Sequence, residues 1–281
     1  MNEEKDCEMC DTEGCTHDCA NCKSKGEHVD FHIEPSPKSH IKHMIGIVSG
    51  KGGVGKSFVT ATLASAMSKK GNRVAVLDGD ITGPSMAKVF GITEKAMGDG
   101  TLIYPAVTST GIQLISTNML LDSDDQPVLM RGPMVVGLLK QFYQKVYWND
   151  VDYMFVDMPP GTSDVPLTAF QSLPLDGIII VTSPQDLVSM VVEKAINMAK
   201  MMNVKILGLV ENMSYVECGN CGNKIHIFGE SHTQTISEKY DLPILAEIPL
   251  REGQAAAADS GNIETLDIPE LENVVHTIES L

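Results

Sequence analysis

The chain has 281 residues, 43% of them hydrophobic, enough to bury the core of one large domain and short for two independent enzymatic domains. Its 21 Lys and Arg against 37 Asp and Glu leave a formal net charge of -16, which argues against sequence-independent binding to nucleic acid or to an anionic membrane. No apolar run approaches the roughly 18 residues of a membrane-spanning helix, and the opening MNEEKDCEMCD has neither the basic nor the apolar part of a secretory signal, so a cytoplasmic location is expected.

The first element in chain order is a polar segment, residues 1–30, that carries Cys7, Cys10, Cys15, Cys19 and Cys22. It has almost no apolar residues, so metal is what could order it. Five thiols at spacings C-x2-C-x4-C-x3-C-x2-C exceed the four that one tetrahedral zinc or one 4Fe–4S cluster needs, and His17 adds another possible ligand. If Cys7 with Cys10 and Cys19 with Cys22 act as pairs, Cys15 is the odd one. A linker with two prolines follows (31–42), and residues 43–281 read as a nucleotide-binding domain.

That domain repeats a strand-then-helix rhythm. HMIGIVS (43–49) reads as a strand, and KSFVTATLASAMSKKG (56–71) as a helix with Val59, Leu63, Ala66 and Met67 on one face and Gly71 as its C-cap. Further strands are expected at 73–78, 111–116, 153–159, 177–183, 204–212 and 242–249. Helical character lies between them, as at 186–203, and the acidic tail LDIPELENVVHTIESL reads as a final helix. The strand runs are nearly continuous in apolar and β-branched residues, the pattern of strands buried on both faces. The expected class is α/β, a mostly parallel central sheet flanked by helices on both faces.

Between the first strand and the first helix, Gly50 to Ser57 satisfies G-x-x-x-x-G-K-S. Gly50, Gly52, Gly53, Val54, Gly55, Lys56, Ser57 and Phe58 are the candidate cradle for ATP. The glycines permit the tight turn whose amides wrap phosphate. Lys56 would reach the β and γ phosphates and the Ser57 hydroxyl would coordinate Mg2+. Gly50, Gly52 and Gly55 also fit a dinucleotide fingerprint, but that reading leaves Lys56 and Ser57 unexplained.

Two acidic strand ends complete the site. VLDGDITGPS offers Asp80 to hold an attacking water and Asp78 to support the magnesium shell or the loop. FVDMPPGTSD offers Asp157 for magnesium-bound water and Gly161 to sense the γ-phosphate, with ordinary turn formation as the alternative. Lys51 is a second cation in a loop that needs one. It is either solvated or reaches phosphate across a two-fold interface, as an arginine finger would. Cys218 and Cys221 supply two soft ligands where tetrahedral iron or zinc takes four. They read as a zinc knuckle completed by His226 or His232, as a redox pair, or as half of a site shared by two chains.

KGGVGKS resembles the deviant Walker A loop of the ATPase class that includes the septum-site and partition ATPases and the nitrogenase iron protein. GKGGVGKS (50–57), DGDITGPS (78–85), RGPM (131–134), DMPPGTSD (157–164), TSPQDL (182–187) and VENMSYVECGNCG (210–222) narrow the resemblance to the Mrp/ApbC iron–sulfur carrier ATPases, over about residues 40–255. The resemblance implies that Lys51 acts across a homodimer, that Asp80 and Asp157 lie in the two switch regions, and that Asn212 reads the adenine edge. It also implies that Cys218 and Cys221, within a loop at 214–227, hold a bridging 4Fe–4S cluster. Eukaryotic relatives carry an N-terminal cluster on a different spacing; here a second 4Fe–4S cluster is preferred over zinc. The cysteines, acidic tail and net charge separate the chain from the nitrogenase, membrane-bound and DNA-bound branches in turn.

The expected activity is ATP-dependent assembly of a labile cluster and its transfer to apo iron–sulfur proteins, with redox or scaffold proteins as further partners. ATP-dependent electron transfer and a regulatory switch with structural metal sites are the alternatives.

Overall fold

The computed structural model describes residues 32–121, 132–162, 164–229 and 231–281. The N-terminal ligand candidates Cys7, Cys10, Cys15, Cys19 and Cys22 lie outside the described residues, as do Arg131 and Ser163 of two quoted motifs.

In chain order the elements are β1 (Ile41–Ser49), α1 (Lys56–Lys69), β2 (Val74–Asp78), α2 (Met86–Val89), β3 (Met97–Gly98), β4 (Ile103–Tyr104), β5 (Ala106–Val107) and β6 (Gln113–Ile115). Then come α3 (Gly132–Lys145), β7 (Val151–Asp157), α4 (Asp164–Ser172), β8 (Gly177–Thr182), α5 (Asp186–Met201), β9 (Ile206–Asn212), β10 (Val216–Glu217) and β11 (Lys224–Ile225). The chain ends with α6 (Thr233–Tyr240), β12 (Ile244–Ile248), α7 (Gln254–Asp259) and α8 (Glu272–Glu279).

Eight strands form one sheet in the order β12-β9-β8-β1-β7-β2-β6-β5. Its neighbours pair in parallel, except β5 against β6 at the edge. Every residue of β2 and β8 is buried, as is β1 from Met44 onward. Burial on both faces explains why these strands read as unbroken apolar runs. With β7 on one side of β1 and β8 on the other, the chain reverses its direction of travel across the sheet at β1. The loops after β1, β2 and β7 therefore converge at the carboxyl edge, where open α/β sheets bind ligands.

The expected face of α1 is only part of what it buries. Val59, Leu63 and Met67 are buried, but so are Thr60, Ala61, Thr62, Ala64 and Ser65. The helix packs against β1, β2, β7 and β8 and also against α2 and α8, so it has little face left for solvent. Its buried hydroxyls find acceptors, Thr62 donating to the Phe58 carbonyl and Ser65 to that of Ala61 one turn back, while Thr60 is committed to Asp157. Gly71, in the left-handed region at φ 92°, ends the helical segment as its composition predicts.

The stretch before β1 is tied to the domain. Ile33 N–H donates to the Ser172 carbonyl, and the Ser39 hydroxyl donates to the Val146 carbonyl while accepting from Trp148 N–H. Trp148, the sole tryptophan of the chain, is completely buried and donates its indole N–H to the Phe142 carbonyl at 3.2 Å. Trp148→Ala removes both the largest buried side chain and that hydrogen bond. It is expected to lower the unfolding free energy by about 3–5 kcal/mol, measured by denaturant titration with circular dichroism.

Candidate functional site

The glycine loop turns from β1 into α1 through two left-handed residues, Gly53 at φ 85° and Gly55 at φ 81°. Gly55 is needed for a second reason, because a β-carbon there would collide with the side-chain amide of Asn212. A β-carbon on Gly50 would lie 2.6 Å from the backbone of Val191 in α5. Around Gly52 and Gly53 the β-carbon positions meet open space, so the loop is packed at its two ends and open between them.

Lys56 opens α1 and points inward, with only 6% of its side chain exposed. Its Nζ lies 2.6 Å from Oδ2 of Asp157, the fully buried last residue of β7. The Ser57 hydroxyl donates to the same oxygen at 2.7 Å, and the Thr60 hydroxyl donates to Oδ1 at 2.6 Å. The carboxylate of Asp157 thus holds one cation and two hydroxyls, which offsets most of the cost of burying charge. Just beyond it, Gly161 (φ 92°) donates its N–H to the Ser49 carbonyl at 2.9 Å, fastening the 157–161 loop to the start of the phosphate loop.

Asp78 ends β2, opposite Asp157 in the parallel register. It is fully buried and its Oδ2 accepts from the Ser116 hydroxyl and from the Ser85 and Met86 amides, at 2.8, 3.1 and 3.1 Å. It therefore fixes the 79–85 loop and the start of α2. Burial first, and the Asp157 charge second, push its carboxyl up from 3.8 to about 7. Asp80 is half-buried, takes the Gly83 N–H at 3.3 Å, and is also raised, chiefly by burial. Lys51 is exposed and has no hydrogen bond or ion pair among the described residues.

Asn212 ends β9, buried, and donates its side-chain amide to the Val54 carbonyl of the phosphate loop at 3.0 Å. Two residues on, the chain leaves the sheet for a small ribbon in which β10 and β11 pair antiparallel, Val216 with Ile225 and Glu217 with Lys224. Cys218 and Cys221 sit in the turn of this ribbon, one half-buried and one exposed, both as free thiols. The amides of Asn220 and then Cys221 point at the Cys218 sulfur, and these, with the Cys221 side chain, pull its thiol below the ordinary cysteine value. Backbone donors aimed at a sulfur favour its thiolate, the form in which cysteine binds soft metals.

Among the described residues no group of three or more His, Cys, Asp and Glu side chains gathers into a metal site. His226 is turned to the Ser214 carbonyl, with Nδ1 at 3.3 Å, and stands against the Tyr215 ring. The hard oxygens of Ser57 and Asp157, 2.7 Å apart beside an open glycine turn, have the donor chemistry of Mg2+ with phosphate.

Two residues of this constellation, and a third at the root of the cysteine ribbon, escaped the sequence reading. Thr60 lies one turn beyond the motif and Ser116 directly follows β6. Glu211 is fully buried beside Asn212. Only the burial of a hydroxyl or carboxylate within an apolar run could have pointed to them.

The profile of the ParA family, described as NUBPL iron-transfer P-loop NTPase, matches residues 40–280. The chain is 46% identical over 233 residues to an iron–sulfur cluster carrier protein of Clostridium perfringens, covering 80% of this chain and 82% of that one. It is 42% identical over 254 residues to an iron–sulfur cluster carrier protein of Methanocaldococcus jannaschii, covering 90% and 87%. Among solved structures, a nucleotide-binding protein of Archaeoglobus fulgidus in complex with ADP, with cobalt found in it, superposes with a TM-score of 0.73 at 38% identity. That match covers 82% of this chain and 90% of the other.

The Asp78 shift has a stability consequence. A folded-state value above that of an unfolded aspartate favours folding below 3.8, and the contribution is lost as pH rises through about 7. In nucleotide-free protein, Asp78→Asn is expected to flatten the fall in stability across that interval, read by denaturant unfolding at a series of pH values. Asp157→Asn removes the neighbouring negative charge, and should move the Asp78 titration midpoint downward in carboxyl-detected NMR.

Proposed function

The chain belongs to the ParA/Mrp/ApbC family of iron–sulfur cluster carrier P-loop ATPases, and on that premise we propose that it holds a labile 4Fe–4S cluster between two copies of itself and passes it to apo iron–sulfur proteins. ATP binding and hydrolysis are the family's activity. The observation that carries the finer reading is the pair Cys218 and Cys221 in the turn of a ribbon, a two-thiol half-site with one thiol shifted toward thiolate. A cluster of four irons takes four thiolates, and two such chains supply them.

The phosphate site supports a division of labour. Lys56 already holds an anion, the Asp157 carboxylate, in the position where a β- or γ-phosphate oxygen would compete for it. Triphosphate would therefore take over the lysine, leaving Asp157 as acceptor of the Ser57 and Thr60 hydroxyls and free to accept from water on Mg2+ when the ion is held there. Mg2+, held through Ser57, would neutralise charge on the β and γ phosphates. Asp80 orients the water that attacks the γ-phosphorus as the bond to the β–γ bridging oxygen breaks. The Gly161 N–H, now on the Ser49 carbonyl, is the donor that can transfer to the γ-phosphate. Asn212, already on the loop backbone, is assigned the adenine edge. Lys51, exposed and unpaired among the described residues, is assigned to the partner's phosphates, where it stabilises charge that develops in transfer.

Residues 1–30 are proposed to form a separate segment, joined through 31–42, that holds a second, more stably bound 4Fe–4S cluster on four of its five cysteines. Among the described residues no helix is long and apolar enough to cross a membrane. A cytoplasmic carrier acting on apo iron–sulfur proteins, without nucleic acid or membrane, is the reading consistent with the charge of -16.

Anaerobically purified protein tests this reading. Visible and Mössbauer spectra of Cys218→Ala should show the loss of one cluster per dimer with the N-terminal signal intact. Tightly held zinc at 218 and 221, or a monomer with ATP bound, overturns it. Lys51→Ala should slow hydrolysis by about a thousandfold, the scale of a trans-acting cation in phosphoryl transfer, with nucleotide affinity retained in equilibrium binding.

A further inference from the structure

β9 ends in two consecutive buried polar residues that serve different sites. Side chains alternate across a strand, so Glu211 and Asn212 face opposite sides of the sheet. Asn212 holds the Val54 carbonyl of the phosphate loop. Glu211, completely buried, holds the cysteine ribbon at both of its roots. The Ser214 hydroxyl, where the chain enters the ribbon, donates to Oε1 at 2.6 Å. The hydroxyls of Ser231 and Thr233, where it returns to α6, both donate to Oε2. No cation is paired with this carboxylate among the described residues; three hydroxyls do the whole work of offsetting its burial.

The residue joining the two roles is constrained as well. Met213 has φ 57°, a left-handed conformation that a non-glycine residue keeps only when its surroundings impose it. It is clamped between Asn212 on the loop and Ser214, whose N–H donates to the Ile248 carbonyl at 3.0 Å. The ribbon itself has two-residue strands and exposes Ile225, Ile227 and Phe228, so its own core cannot fix its orientation. Its orientation is set at its roots.

We infer that Glu211 is the positioning residue that couples the cysteine pair to the phosphate loop. The loop's state is felt by Asn212 and handed through the rigid peptide 211–214 to the roots of the ribbon, which Glu211 gathers. The role rests on the proposed carrier reading for its purpose, but not for its test, because cysteine geometry can be read without iron.

The experiment uses full-length, cluster-free, reduced protein and follows iodoacetamide alkylation of Cys218 and Cys221 by peptide mass spectrometry, with and without a non-hydrolysable ATP analogue. In the unaltered protein the analogue should change the alkylation rates by about fivefold or more, the lower end of ordinary coupling between sites. In Glu211→Gln, which keeps the size but cannot accept all three hydroxyls, the response should fall to less than about twofold. ATP hydrolysis and the circular dichroism spectrum should stay as in the parent. Should Glu211→Gln fail to fold, the double variant Ser231→Ala/Thr233→Val releases the ribbon from the other side, and the same loss of response is expected. A full nucleotide response in either folded variant, or none in the unaltered protein, overturns the inference. Failure of the carrier reading would appear separately, as absence of iron at the pair in anaerobic preparations.

Discussion

The ion pair between Lys56 and Asp157 organises the site. Both groups are buried, and neither could be there alone, since an uncompensated charge in the interior costs several kcal/mol. Each brings a different piece of chain with it. Lys56 brings the phosphate loop and the first turn of α1, with Ser57 and Thr60 as its companions on the same carboxylate. Asp157 brings β7, whose backbone carbonyl at that residue accepts the Gly79 N–H and so draws in the loop that carries Asp80. Three loops that are far apart in sequence are thus fastened at a single residue, two through its carboxylate and one through its carbonyl. An anion that binds Lys56 more strongly disturbs all three.

Asp78 shows the opposite use of a buried acid. Among the described residues it has no ion-pair partner, and its neighbours are three amides and a hydroxyl. Its ionised form suffers from burial and from Asp157, and its pKa rises accordingly. Two aspartates at the ends of adjacent strands therefore have different duties. One is held by a cation in contact with the phosphate site, and the other braces the loop beside it. The parallel register of β2 and β7 places them side by side, which keeps the second sensitive to the charge of the first.

Much of this was legible in the sequence because the relevant signals are local. Gly53 and Gly55 must take positive φ, Lys56 and Ser57 follow at fixed spacing, and the strands are buried on both faces and read as apolar runs. The parallel sheet followed from the same runs, and the fold adds a short antiparallel edge strand, β5, that no period announced. What stayed hidden depends on register. Ser116 meets Asp78 only because β6 lies next to β2, and Glu211 meets Ser231 and Thr233 only because the cysteine ribbon returns to its origin. The pattern of α1 was also partial. Thr60, Thr62 and Ser65 look like an exposed face, but they are buried, the last two donating to the helix's own carbonyls and Thr60 to Asp157.

The ribbon that bears Cys218 and Cys221 follows a different rule from the rest of the domain. A pair of two-residue strands has too little apolar surface to hold itself in place. It borrows its order from Glu211 and from the end of β12, where Leu250 N–H reaches the Tyr215 carbonyl and Ser214 N–H reaches that of Ile248. A metal bound by only two thiols from such an element is also held loosely unless something else completes the set. On the carrier reading, the second chain does so, and separation of the chains removes half of the ligands in one step. Release then needs no unfolding and no competing thiol inside the protein. On that reading it needs only a change at the interface, where Lys51 is proposed to meet the phosphates of the other chain.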